Sequence, residues 1–355
     1  MCILYLTPFK YIVHRGKAVR ELALLMLVSS LLVYVLQAIV VGGSGGVVVV
    51  VTFSYLKPDV ERLMCGGVVY SIVPPGVDPH EYQLKPSDQE VLRSADVVVS
   101  TGHTSFEQSI RGMVERGEIK AILLDIIEDT GVRLKVNPIT KQYNYHMPVN
   151  DPVNYLLFLS KLLEVLVRLD PGSKECIYEK YARVVSNVTS TILVNAGRFR
   201  GKAIVDAPHA QYLAEWLGFE VVQVLKAEEE YQVSPGDVEK AVDLARREEV
   251  SVVFVTKPGV QPEGAKLIEI AKEFNISVVM VDSPSGGTGV LENLVQLVNQ
   301  ISAFQTTPST TPSLQNTETN YPATLVTGIV VLASGLGFLA GYEFKSRRLM
   351  KVYNP

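Results

Sequence analysis

Runs of consecutive β-branched residues, separated by segments of helical periodicity, most constrain the fold of this 355-residue chain. The first run, residues 47–53, shows no alternation of polar and apolar side chains. That pattern predicts a strand buried on both faces of a parallel sheet. Helix signals lie between the runs, such as Ser234 followed by Pro235 at a helix start. The alternation predicts an α/β fold, because parallel strands need crossover helices.

The predicted strands form two groups on either side of a long helical stretch. They cover residues 47–53, 68–73, 95–100 and 121–125 in the first group, and 203–205, 220–224, 252–256 and 277–281 in the second. We therefore predict two Rossmann-like lobes, residues 47–170 and 200–304, joined by a rigid linking helix over residues 171–199. Because ligands of open α/β sheets bind beyond the carboxyl ends of the strands, the lobes should form a cleft there.

Both ends of the chain carry apolar segments outside this body. Residues 1–46 place basic side chains before an uncharged apolar run, which is typical of a signal peptide or signal anchor. Residues 305–321 are rich in Thr and Pro and predict an extended linker. Residues 322–344 predict a transmembrane helix, and the basic residues 345–355 predict a cytoplasmic tail. The body would then be extracellular and anchored at the cell surface.

Charge and cysteine content exclude several classes of protein. The net charge is −4 and the body has no basic tract, so no nucleic-acid partner is expected. No Cys-x-x-Cys pair occurs among the three cysteines, which leaves a thiolate zinc site without support. Cys65 and Cys176 could pair in an oxidising compartment, but their spacing does not demand it. Two buried, unpaired thiols are the favoured interpretation.

The histidines are the candidate ligands. His14 precedes the first apolar run, whereas the body contains only His80, His103, His146 and His209. These four lie after predicted strands or in connections, and Asp282 ends the strand at 277–281. Imidazole is the commonest side-chain ligand of zinc and similar ions, so this placement predicts one metal site drawn from both lobes. For His103 a solvated loop position, and for Asp282 a turn position, remain open.

One sequence motif makes the chain recognisable. It reads Pro-Pro-Gly-Val-Asp-Pro-His-Glu-Tyr at residues 74–82 and is followed by Pro-Ser-Asp at residues 86–88. These residues resemble the signature of metal-specific solute-binding proteins of ABC importers, the zinc/manganese class known as cluster A-I. The likeness continues at residues 95–102, 107, 212–213, 218, 228–230, 234–235 and 281–282 and covers roughly residues 47–304. The resemblance implies two lobes, a rigid linking helix and a permease partner in the membrane.

The resemblance also implies two ligands in the first lobe. His80 matches the histidine of the first motif. His146, which precedes Asp151-Pro152, matches the histidine that the family usually places in a His-x-Trp-x-Asp-Pro pattern. Here the Trp is missing and one residue is added. The His-rich loop that is common in zinc importers is absent, since residues 130–145 contain no histidine.

In the second lobe the resemblance is less direct. The family's third ligand position aligns with Ala207, so His209 acts as a ligand only if the loop is shifted by two residues. Asp282 matches the family's second-lobe carboxylate. His103 has no standard counterpart and is interpreted as an extra ligand or as a group that supports the ligands. The implied ligand set is therefore His80, His146, His209 and Asp282.

This donor set favours Zn²⁺, with Mn²⁺ second, because manganese prefers more oxygen ligands. The predicted function is an extracellular, membrane-anchored receptor that captures the ion in the cleft and delivers it to an ABC importer permease, without enzymatic activity. Two alternatives remain open. A zinc-dependent hydrolase would use an open coordination position, but no His-Glu-x-x-His motif occurs. A stalked surface adhesion protein would leave the histidines without a role.

Overall fold

The computed structural model describes residues 46–228, 231–257 and 261–304, all of which belong to one compact unit. The predicted signal or anchor segment up to residue 45, and the linker, transmembrane helix and tail from residue 305 onward, lie outside the described residues. Within the described residues, no helix combines the length and apolar character needed to cross a bilayer.

The first half of the body is a four-stranded parallel sheet with the order β2-β1-β3-β4. Val50 in the central strand pairs with Tyr70 on one side and Val98 on the other, and it is fully buried. The strands are β1 (Val48–Phe53), β2 (Val68–Val73), β3 (Val97–Ser100) and β4 (Ile122–Asp125), and the helices are α1 (Lys57–Leu63), α2 (Pro86–Arg93), α3 (Ser105–Glu115) and the single turn α4 (Ile126–Asp129).

The second half repeats this topology, since its parallel sheet has the order β8-β7-β9-β10. Its strands are β7 (Lys202–Val205), β8 (Glu220–Val224), β9 (Val252–Lys257) and β10 (Ser277–Asp282), and its helices are α7 (His209–Leu217), α8 (Pro235–Arg246), α9 (Pro262–Glu273) and α10 (Val290–Phe304). Ser234 caps α8 by accepting a hydrogen bond from the Asp237 backbone at 3.2 Å. The predicted α/β fold with two parallel sheets is therefore confirmed.

The segment between the sheets contains more structure than the single predicted linking helix. It begins with a short antiparallel hairpin and continues through helices of α, π and 3-10 type. The elements are β5 (Lys135–Val136), β6 (Tyr143–Asn144), a 3-10 turn (Pro148–Asn150), α5 (Pro152–Leu169), α6 (Lys174–Asn187), a π-helical turn (Val188–Ile192) and a 3-10 turn (Leu193–Asn195). We refer to residues 135–144 as the hairpin.

Some local predictions were wrong or incomplete. The sequence Ser-Asp-Gln-Glu at residues 87–90 predicts a capping box with Ser87 as the N-cap of α2. The N-cap is instead Lys85, two residues earlier, and the Asp88 side chain accepts a hydrogen bond from the Lys85 backbone at 2.7 Å. The helices α3, α5 and α10 were not predicted. In α3 the spacing of the buried residues Phe106, Ile110 and Met113 is the signal that identifies the helix.

A disulfide joins Cys65, just after α1, to Cys176 in α6, with the Cα atoms 6.1 Å apart. The expectation of two unpaired thiols was therefore wrong. The two residues are 111 positions apart in the sequence, and only the packing of α6 against α1 brings them within bonding range.

One continuous apolar core extends through both halves. It includes Val50 of the first sheet, Phe158 of α5, Val205 of the second sheet and Leu294 of α10. A smaller core, which includes Val253 and Leu267, lies between the second sheet and its helices. Because the large core is shared, the two sheets are packed into one body and their carboxyl edges are held near each other.

Candidate metal centre

The strand order reverses between β1 and β3 in the first sheet and between β7 and β9 in the second. Residues at or just beyond these four strand ends line a single cavity of about 240 Å³. Tyr55 follows β1, His103 follows β3, Asp206 follows β7 and Thr256 lies near the end of β9. This is the position at which open α/β sheets bind ligands, and here both sheets contribute to it.

His80, His103 and His146 come together in this cavity. One nitrogen of each ring lies within 4.8 Å of a nitrogen of the other two. The ring centroids are 5.4–5.5 Å apart. A tetrahedral zinc ion with Zn–N bonds of about 2.1 Å needs nitrogens about 3.4 Å apart, so small side-chain rotations suffice to bind one. We call these three residues the histidine triad.

His103 is held by a buried hydrogen-bond network behind it. Its Nδ1 lies 2.8 Å from the Thr101 hydroxyl, which itself lies 2.8 Å from a carboxylate oxygen of Glu107. The hydroxyl has one hydrogen, which goes to the carboxylate, so it accepts a hydrogen bond from Nδ1 and leaves the lone pair on Nε2. The ring also stacks on Phe53, with centroids 5.9 Å apart.

Glu107 is the centre of that network. Burial alone raises the pKa of the Glu107 carboxyl, but His103 and hydrogen bonds from Thr52 and Thr101 hold that pKa below its ordinary value. The Thr52 hydroxyl donates to Glu107 at 2.7 Å, and the Thr101 backbone donates to it at 2.7 Å. The carboxylate therefore stays ionised and fixes the loop that carries His103.

His146 is oriented from the hairpin. The Asn144 side-chain oxygen accepts hydrogen bonds from the His146 backbone nitrogen at 3.0 Å and from its Nδ1 at 3.2 Å. Glu228 lies farther away, with its carboxylate 3.9 Å from Nδ1. The pattern again places the proton on Nδ1 and the lone pair on Nε2.

His80 lies in the loop after β2, in the motif that carries the resemblance. Its backbone nitrogen donates to the Asp78 carboxylate at 2.9 Å. Earlier in the same loop, the Gly76 backbone donates to the carbonyl of Ser285 at 2.6 Å, which joins the loop to the second half. The His80 side chain is half-buried, as is that of His103, whereas His146 is buried.

His209, predicted as a ligand, lines the same cavity but does not join the triad among the described residues. It begins α7 and is buried, with Nε2 3.0 Å from the Thr256 hydroxyl. That hydroxyl donates to Asp206 at 2.9 Å. Burial raises the pKa of Asp206, while His209 and the bonds from Thr256 only partly offset it. A ligand role for His209 stays a prediction.

Asp282, the other predicted second-lobe ligand, is buried at the end of β10 and is not among the described residues that line the cavity. Its Oδ1 lies 3.5 Å from the Lys257 ammonium group, and its backbone donates to Asn293 at 3.3 Å. Its Oδ2 has no hydrogen-bond partner within the described residues. A ligand role for Asp282 also stays a prediction.

His103 is the member of the triad that lies outside the ligand set implied by the sequence. It was interpreted as an extra ligand or a supporting group, and one of its ring nitrogens lies within 4.8 Å of nitrogens of His80 and His146. The signal was its position directly after β3, the strand next to the reversal of strand order. All three triad residues precede the linking helices, whereas the expected site drew on both halves.

Known proteins resemble this chain over most of the body. Residues 49–303 match the family described as ZnuA, zinc-uptake complex component A, periplasmic. The chain is 26% identical over 261 residues to the iron-binding protein YfeA of Yersinia pestis, covering 70% of this chain and 81% of that protein. It is 26% identical over 194 residues to the manganese-binding lipoprotein MntA of Halalkalibacterium halodurans, covering 52% and 62%.

Solved structures share the fold. FpvC of Pseudomonas aeruginosa, solved in complex with Mn²⁺, superposes with a TM-score of 0.57 at 18% identity, covering 73% of this chain and 99% of that one. The Mn-bound periplasmic metal-binding protein of Candidatus Liberibacter asiaticus gives 0.56 at 18% identity, with the same coverage. With the family match over most of the body, the chain belongs to the ZnuA family of metal-binding solute-binding proteins of ABC importers.

Proposed function

We propose that this protein is an extracellular receptor that captures Zn²⁺ at the histidine triad and delivers it to an ABC importer permease. The observation that carries the proposal is the approach of three imidazole nitrogens to within 4.8 Å of one another. Three neutral imidazoles and one further ligand suit tetrahedral zinc. Membership of a solute-binding family supports a binding role over the hydrolase and adhesion alternatives.

The choice of metal rests on the donor atoms. Relatives are named for iron and manganese binding, so the family accommodates several divalent ions. A site of three nitrogens favours Zn²⁺ over Mn²⁺, which prefers carboxylate, carbonyl and water oxygens. We therefore propose Zn²⁺ first and Mn²⁺ second.

The fourth ligand is proposed to come from the second half or from water. His209 lines the cavity with the triad, and Asp282 carries a buried carboxylate oxygen without a hydrogen-bond partner within the described residues. Both remain proposed ligands. Recruitment of either would require a movement of the second half toward the triad, which would join ion capture to closure of the cavity.

The proposed membrane anchor would assist delivery. A C-terminal transmembrane helix at residues 322–344 and a Thr/Pro-rich linker at 305–321 would hold the receptor close to its permease. Such tethering replaces a bimolecular encounter with an intramolecular one and raises the effective concentration of the receptor at the permease.

The site is tested by titrating the metal-stripped full chain with Zn²⁺ and with Mn²⁺ by calorimetry. We expect His80→Ala, His103→Ala and His146→Ala each to weaken zinc binding by more than about 100-fold, which exceeds the usual effect of losing an outer-sphere contact. Zinc should also bind more tightly than manganese to the unaltered chain.

The matched control is His14→Ala, which removes a histidine outside the body and should leave the affinity unchanged. His209→Ala and Asp282→Ala, measured in the same way, test the two proposed second-half ligands. Zinc binding that survives unchanged in all three triad variants would remove the proposed site.

A further inference from the structure

We propose that Asn144 is a positioning residue that selects the metal-binding nitrogen of His146, and that the second half of the molecule sets the orientation of Asn144. The inference rests on the proposed function, because it assigns Asn144 a role in forming the proposed site. It concerns a residue that contacts the triad without being one of its ligands.

The orientation of the Asn144 amide is fixed by its partners. Asn144 is buried, and its nitrogen donates to the carbonyl of Pro208 at 2.8 Å and to the side-chain oxygen of Gln211 at 2.9 Å. The Pro208 carbonyl can only accept a hydrogen bond, so the amide nitrogen must face it. The amide oxygen therefore faces His146.

That orientation determines the tautomer of His146. An amide oxygen can only accept, so the His146 ring can bond to it only through a protonated Nδ1. The neutral ring then carries its lone pair on Nε2, the nitrogen that a metal would bind. The backbone of His146 donates to the same oxygen at 3.0 Å, which holds the ring and the main chain together.

The hairpin that contains Asn144 is hydrogen-bonded to the second half at several points. The Gln211 side chain donates to the carbonyl of Val136 at 2.9 Å, and the Asn137 side chain donates to the carbonyl of Ala227 at 2.7 Å. The Tyr212 hydroxyl donates to the carbonyl of Asn144. Thus α7 and the loop after β8 hold the hairpin, whereas His80 and His103 follow strands of the first sheet.

The test compares two buried asparagines of the hairpin. Asn144→Ala removes the oxygen that accepts the hydrogen bond from His146. Asn137→Ala removes a hydrogen bond between the hairpin and the second half but leaves that oxygen in place. Asn137 is fully buried, so both variants should lose stability. The tautomer of His146 in the metal-free full chain is read from its ring ¹⁵N shifts at pH about 8.5, where ordinary histidines are neutral.

We expect Asn144→Ala to lose the predominance of the Nδ1-protonated tautomer and to bind zinc 10- to 100-fold more weakly, as for other outer-sphere groups. Asn137→Ala keeps Asn144 and its bonds to Pro208 and Gln211, so it should keep the tautomer and lose clearly less zinc affinity than Asn144→Ala. Asn144→Asp restores an acceptor oxygen, so it should recover the tautomer and bring the zinc affinity to within about tenfold of the unaltered chain.

Two results would overturn the inference: an Asn144→Ala chain with unaltered tautomer and affinity, or equal losses of affinity in Asn144→Ala and Asn137→Ala. His146→Ala separates this failure from failure of the proposed function. If His146→Ala abolishes binding while Asn144→Ala does not, only the role of Asn144 is lost. If His146→Ala binds zinc normally, the proposed ligand role of His146 and this inference fail together.

Discussion

At the residue scale, hydrogen bonds behind the ligands decide which nitrogen each imidazole offers. Glu107 acts on His103 through the Thr101 hydroxyl, and Asn144 acts directly on His146. Both arrangements leave the lone pair on Nε2 and make the donor atoms ready before an ion arrives. The buried carboxylate of Glu107 can persist because it accepts several hydrogen bonds at once, which replaces the water that it loses.

Asp59 is a second buried carboxylate with a different consequence. It accepts hydrogen bonds from the Tyr155 hydroxyl at 2.7 Å and from the backbones of Val290 at 2.6 Å and Leu291 at 3.3 Å. The pKa of Asp59 is raised to about 6, chiefly because burial disfavours the charged carboxylate; the hydrogen bonds oppose this rise in part and nearby Glu292 adds to it. The folded protein therefore holds this proton more tightly than the unfolded chain does.

This difference predicts a pH effect on folding. Because the folded-state pKa is raised, the contribution of Asp59 to stability increases as pH falls from about 6 to about 4, by up to roughly 3 kcal/mol. Urea unfolding of the unaltered chain and of Asp59→Asn at pH 7, 5 and 4 measures it. The variant should lack this acid-side gain, and parallel pH profiles for the two proteins would contradict the assignment.

At the element scale, the hairpin and the linking helices decide where the first half meets the second. The hairpin ends two residues before His146 and is hydrogen-bonded to α7. Asp59 in α1 accepts hydrogen bonds from the first backbone nitrogens of α10 and satisfies donors that the start of a helix leaves unpaired. The disulfide joins the end of α1 to α6. Together these contacts hold the helices between the sheets in place.

The disulfide should contribute substantially to stability, because it closes a loop across 111 positions of the chain. The chain-entropy argument gives about 2–5 kcal/mol for such a crosslink. The double variant Cys65→Ala, Cys176→Ala should therefore lower the free energy of unfolding by an amount in that range. Cys2→Ala is the control and should have no effect. Equal stability of the double variant and the unaltered chain would show that the crosslink is not formed in solution.

At the scale of the whole molecule, two sheets of identical strand order place their reversal points against one cavity. The first half supplies His80 and His103, the segment between the sheets supplies His146, and the second half supplies Asp206, His209 and Thr256. Residues from both halves therefore line the cavity that holds the proposed cargo site. The shared apolar core limits how far the halves can separate.

Metal binding should stabilise the whole fold, because zinc binds the folded triad and the unfolded chain has no assembled site. At free zinc of 100 times the dissociation constant, linkage predicts a gain of about 2.7 kcal/mol in the free energy of unfolding. Denaturant unfolding with and without zinc measures this gain. His103→Ala should lose most of it at the same zinc concentration, and an undiminished gain in that variant would contradict the place of His103 in the site.

The sequence by itself determined the class of fold and most strand positions. The strands Val68–Val73 and Glu220–Val224 have the predicted bounds, because apolar runs that end at turn residues carry their own limits. The motif at residues 74–82 also led to the family and to His80. These features are local, so neighbouring residues suffice to specify them.

Only the tertiary structure decided which distant residues meet. It placed His103 beside His80 and His146, joined Cys65 to Cys176, and linked Asn144 to α7. Each contact depends on strand order and on the packing of helices across the shared core, which no local pattern encodes. A histidine after a strand can be predicted from its neighbours, but its partners follow from the strands that lie next to it in the sheet.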